Sequence, residues 1–142
     1  MIRIKYFLVV FLIFNTFYTM SQSVRKRDQY GSKIIFVDDN TIRKGDQYGY
    51  KLYYLEGSTI RLENRYGSKK FYIDGNTVRK TDCYGEEILY FDGSTIRSKD
   101  KYGEKLYYID GKYVRNRDKY GEKLWYFEGS VKIWVLICLI YM

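Results

Sequence analysis

The chain contains no histidine and no proline, and only two cysteines and two tryptophans. Without histidine, the imidazole-based triads of acyl-transfer enzymes cannot be assembled. Two cysteines alone cannot supply the ligand set of an ordinary zinc site. Carboxylate pairs of the glycosidase kind remain conceivable, but no Asp or Glu pair stands apart from its equivalents elsewhere in the chain. Asp38-Asp39-Asn40 is a local oxygen cluster with too few carboxylates for a calcium loop and reads as a turn. No catalytic residue, metal or cofactor is assigned, and the protein is read as a non-enzyme. With no proline, nothing interrupts a β ladder or blunts a strand edge. No apolar run reaches the ~18–20 residues that span a bilayer, so no stable transmembrane span is expected. Cys83 sits in a turn and Cys138 in an apolar run. An exported setting would allow them to pair, but neither belongs to the repeat described next, and two free thiols are favoured.

What is present is repetition. Arg25, Arg43, Arg61, Arg79, Arg97 and Arg115 recur every 18 residues, as do the pairs Tyr30-Gly31, Tyr48-Gly49, Tyr66-Gly67, Tyr84-Gly85, Tyr102-Gly103 and Tyr120-Gly121. A period of this length over most of a chain fixes the architecture before any local reading does. Each unit holds two strand patterns, such as Lys105-Leu-Tyr-Tyr-Ile109 and Ser94-Thr-Ile-Arg97, rich in aromatic and β-branched residues. An Asp-Gly pair (Asp74-Gly75, Asp92-Gly93, Asp110-Gly111) joins them, and a two-residue Asp-Gly turn would place Ile109 opposite Lys112 and Tyr107 opposite Val114. The second turn, Asp-x-Tyr-Gly, starts on an Asp that accepts backbone hydrogen bonds and ends on a glycine suited to a left-handed residue. Alternation puts Tyr107, Ile109 and Val114 on a core face, with equivalents Ile35, Val37 and Ile42; Tyr53, Leu55 and Ile60; Phe71, Ile73 and Val78; Leu89, Phe91 and Ile96; and Trp125, Phe127 and Val131.

One hairpin is marginal alone, so six must bury their faces on one another, stacked or closed about an axis. Closure is preferred because it removes unprotected edges. The ends complete the layout. Residues 1–21 have the form of an export signal, with Arg3 and Lys5 ahead of an apolar stretch and Gln22 as the new N-terminus. Residues 22–132 form the six-unit repeat domain. Residues 133–142 are an apolar segment packed into or capping the array. The chain carries a formal +8, of which Arg3 and Lys5 supply two; the rest is mixed evenly with acids, which argues against nucleic acid as a partner.

The Thr-Ile/Val-Arg-x-x-Asp-x-Tyr-Gly-x-Lys-Leu-Tyr-Tyr-Ile-Asp-Gly hairpins, followed by an apolar tail with Trp134-Val135, resemble the exported β-flower proteins of the Bacteroidetes. That resemblance implies hairpin petals about an axis, in known versions four- and five-fold, and export. It implies no activity and no site residues.

The fold class expected is all-β, with tandem hairpins as petals about an axis and a monomer by default. The expected location is the periplasm, outer envelope or extracellular space. Function is read as structural or interactive in the cell envelope. The alternative is a glycan or polyanion binder using a repeated face of Arg43, Arg61, Arg79, Arg97 and Arg115 with Tyr54, Tyr72, Tyr90, Tyr108 and Tyr126. Against that alternative, each arginine has an acid or Asn64 three residues on, which would neutralise or occupy it. The partner, whether envelope glycan or protein, is not specified by the sequence.

Overall fold

The computed structural model describes residues 21–142. The expected export signal, apart from Ser21, lies outside the described residues. Twelve antiparallel strands follow in order: β1 (Ser21–Lys26), β2 (Lys33–Asp38), β3 (Thr41–Lys44), β4 (Lys51–Glu56), β5 (Thr59–Leu62), β6 (Lys69–Asp74), β7 (Thr77–Lys80), β8 (Glu87–Asp92), β9 (Thr95–Ser98), β10 (Lys105–Asp110), β11 (Tyr113–Asn116) and β12 (Lys123–Phe127). Each pairs with its sequence neighbours, and β12 returns to pair with β1, so the sheet is a closed barrel. A helix, α1 (Ile133–Ile140), ends the chain.

The hairpin turn falls one residue later than the sequence suggests. Asp110 pairs with Tyr113, Ile109 with Val114 and Tyr108 with Arg115, leaving Gly111 and Lys112 as the loop. Gly111 has φ +60° and Lys112 is not in the left-handed region, the signature of a glycine-led two-residue turn that follows strand twist. The difference moves each partner by two positions. An even step keeps inward residues inward, so the expected core face survives the corrected register. A bulge at the Ile/Val-Arg step recurs between hairpins, as at Ile42/Arg43, Ile60/Arg61 and Val78/Arg79. Such bulges sharpen bend and twist, which a small ring of short strands requires.

Five hairpins are continuous in the chain. The sixth is built from its two ends: Val24 pairs with Phe127 and Arg25 with Tyr126, the same register as Val114 with Ile109 and Arg115 with Tyr108. β1 thus replaces the strand that would have followed Glu128-Gly129, where the chain instead turns inward. Val131, expected in a core strand, lies half-buried on this inward connection.

Inside the barrel Val24, Ile35, Val37, Ile42, Ile60, Val78, Ile96, Val114 and Phe127 are fully buried, and Val135, Leu136, Ile137 and Cys138 of α1 are buried among them. A barrel wider than about eight strands is too broad for side chains alone to fill. The apolar tail fills it, and does so as a helix because a closed wall offers no free backbone partner; its amides must bond to one another. Cys83 is exposed and Cys138 buried, both as free thiols. Burial pushes the Cys138 thiol pKa far up.

Candidate functional site

The two turn types lie at opposite ends of the barrel. At one end are the Asp/Glu turns, with Asp38, Glu56, Asp74, Asp92, Asp110 and Glu128. At the other are the Tyr-Gly loops, interspersed with Lys44, Lys80, Lys99, Lys101 and Lys119. The first rim is acidic, whereas the second mixes these lysines with Asp28, Asp46, Glu63, Asp82, Asp100 and Asp118.

The repeated arginines run lengthwise on the outer wall between these rims. Each donates from Nη1 to the glycine carbonyl of its own Tyr-Gly pair, at 3.0–3.1 Å, from Arg25 to Gly31 through Arg115 to Gly121. Their acidic partners are not the residues three positions on. Those residues instead accept the Tyr backbone N–H two residues later, as Asp46 does from Tyr48 and Asn64 from Tyr66 at 2.9 Å. The arginine Nε faces the acid at the opposite turn: Arg115 to Asp110 at 2.9 Å, Arg97 to Asp92 at 3.4 Å, Arg79 to Asp74 at 3.5 Å and Arg61 to Glu56 at 3.6 Å. Across the discontinuous hairpin, Arg25 meets Glu128 at 2.8 Å. Arg79 also reaches Glu87 at 3.4 Å. Among the described residues Arg43 has the glycine bond and no ion pair. The arginine side chains that form ion pairs are 21–26% exposed. They are structural ties, held at Nη1 in every unit and at Nε where an acid is within reach.

The wall tyrosines sit directly opposite these arginines: Tyr54 with Arg61, Tyr72 with Arg79, Tyr90 with Arg97, Tyr108 with Arg115 and Tyr126 with Arg25. All are half-buried on the outer face. The Arg–Tyr pairs form a girdle around the barrel and do not converge on one cavity.

What sequence reasoning missed is the rim. Tyr30, Tyr48, Tyr66, Tyr84, Tyr102 and Tyr120 are 81–93% exposed, so the scaffold gains no burial from them. Basic groups lie on three of these rings: Arg65 over Tyr66 at 4.9 Å, and Lys101 over Tyr102 and Lys119 over Tyr120, both at 5.1 Å. The signal was available, since a tyrosine kept in six units beside a glycine suggests either packing or contact with something else. Wall and rim tyrosines together line two equivalent grooves. One, of about 330 Å³, is bounded by Thr41, Lys51, Tyr54, Arg65 and Tyr66. The other, of about 220 Å³, is bounded by Thr95, Lys105, Tyr108, Lys119 and Tyr120. Each presents two aromatic rings, a threonine hydroxyl, two cations and one carboxylate, Glu63 in the first and Asp118 in the second. Among the described residues no cluster of His, Cys, Asp and Glu could hold a metal ion, and no helix is long and apolar enough to cross a membrane.

No family model matches this chain, and neither a curated protein nor a solved structure matches it.

Proposed function

We propose that this is an exported, non-catalytic interaction protein of the cell envelope, a six-petalled barrel of the β-flower kind, which holds a glycan in shallow grooves around its tyrosine rim. The observation that carries the reading is the pair of grooves built alike from Tyr54 with Tyr66 and from Tyr108 with Tyr120. Aromatic faces offer a platform for the apolar face of a sugar, and a Tyr hydroxyl adds a polar handle. Two cations against one carboxylate in each groove leave a net positive lining that tolerates an acidic chain. Several weak grooves on one rigid ring would gain strength through multivalency on a polymer. The arginine girdle supports this placement indirectly, because its side chains are partly buried and tied to the glycine carbonyls, whereas the rim tyrosines are exposed.

A glycan and lipopolysaccharide binding screen on the purified exported protein, at low and high salt, tests the reading. Binding that weakens in Tyr66→Ala and Tyr120→Ala with unchanged melting supports it. Salt-sensitive binding points to the rim cations and a polyanion, and salt-resistant binding to the tyrosines and a neutral sugar. A clean negative on folded protein sinks the glycan reading.

A further inference from the structure

A third cavity breaks the symmetry of the ring. It lies at the tyrosine end between the third and fourth Tyr-Gly loops, where Tyr141 emerges from the barrel, and its volume is about 490 Å³. That is within the usual range of small-ligand pockets. Tyr53, Phe71 and Tyr141 supply its aromatic surface, with the Phe71 and Tyr141 ring centroids 4.9 Å apart. Lys69, Lys70 and Lys80 supply three ammonium groups against the single carboxylate of Glu86, and Ser68 and Thr81 add hydroxyls.

Two of these residues have no counterpart elsewhere in the ring. The column holding Lys70 reads Ile34, Leu52, Lys70, Ile88, Leu106 and Leu124. Five apolar side chains there pack against the core or lie half-buried, while Lys70 is exposed. The scaffold has no need of a charge at this position, because five units do without one. Tyr141 follows the end of α1 and can serve only one junction of six. Both departures from the repeat fall in the same cavity.

We infer that this cavity binds a sugar ring bearing a phosphate or sulfate ester. The ammonium groups match the ester's charge. The aromatic surface matches a sugar's C–H face, and Glu86 with the two hydroxyls matches its hydroxyl groups. The inference rests on the proposed binding role but places this ligand away from the repeated grooves.

The test is titration calorimetry of the full exported chain with glucose 6-phosphate, glucose 6-sulfate, glucose and inorganic phosphate. Saturable binding of at least one ester is expected, about tenfold or more tighter than glucose or inorganic phosphate, and weakened about tenfold or more by Lys70→Leu and by Tyr141→Ala. Lys70→Leu installs the residue that three other units carry, so loss of fold does not confound it; a thermal melt checks this. The two esters compared with each other identify which anion the cavity prefers. Absence of ester binding overturns the inference, as does equal binding of inorganic phosphate. Binding that survives Lys70→Leu and Tyr141→Ala but is lost in Tyr66→Ala and Tyr120→Ala overturns it too, while supporting the repeated grooves.

Discussion

At residue scale, a Cβ on Gly103 would lie 1.6 Å from the Ser98 carbonyl oxygen. The glycine of each Tyr-Gly pair is required by this close approach, not by a left-handed φ as its turn position suggests. The left-handed residue comes four positions earlier and is Arg27, Gly45, Glu63, Thr81, Lys99 or Arg117, with φ between 61° and 71°. In five loops the next amide closes a three-residue turn around it, as Asp82 N–H donates to the Lys80 carbonyl at 2.9 Å, a turn that is rare and strained. Gly103→Ala is expected to cost about 1–3 kcal/mol, as overpacking does, read from urea unfolding. Thr81→Gly should do the reverse. A β-branched residue there bears about 1–2 kcal/mol of steric cost, part of which glycine's larger unfolded-state entropy cancels, so the melting temperature should rise modestly. The strained position could not be read from sequence because six units fill it with five residue types. The glycine was readable as essential, though for another reason.

At element scale, the alternating strands and their inward faces followed directly from Lys-Leu-Tyr-Tyr-Ile and Thr-Ile-Arg, and the tail's place against the repeats followed from its apolarity. Its conformation did not. Val131 to Met142 is rich in β-branched residues and has the local preference of a strand; only the saturated barrel wall makes it a helix. The same enclosure sets an alkaline limit. Burial raises the pKa of Cys138 from its ordinary 9.0 and those of Tyr53 and Tyr141 from 10.0, with Cys138 adding to the shift at Tyr53 and Tyr107 to that at Tyr141. The folded state therefore holds these protons longer than the unfolded chain. Stability from these groups is fully present below pH 9.0 and declines as pH rises beyond it. Cys138→Val should move the onset of that decline toward the tyrosine range, seen in melting temperatures across the alkaline limb. A decline of unchanged onset would show that the thiol is not its source. Of the candidate site, Tyr54 and Tyr108 were legible as wall residues. The rim tyrosines became distinguishable from core ones only once the loops were placed. Lys70 was visible as an exception in its column, but its meeting with Tyr141 depends on where the helix ends.

At the scale of the whole molecule, the ring is closed by a strand pair whose members lie 103 residues apart at Arg25 and Glu128. Arg25→Ala removes the Nε contact with Glu128 and the Nη1 contact with Gly31. The expected cost is about 1–2 kcal/mol for partly exposed charged hydrogen bonds. If β1 joins late, that cost should appear almost wholly as faster unfolding with the refolding rate unchanged, measured by stopped-flow denaturant jumps. A slowed refolding rate would put β1 in the nucleus. Five hairpins can each form from contacts local in the chain, but the sixth must wait for the other end of the barrel. Until Phe127 finds Val24, the outer edges of β1 and β12 are open, unprotected by proline and adhesive to any other strand. The clasp therefore gives the molecule a direction in time: local hairpins first, ring closure last. The interval between them is when a crowded population of these chains is most exposed to joining one another instead of themselves.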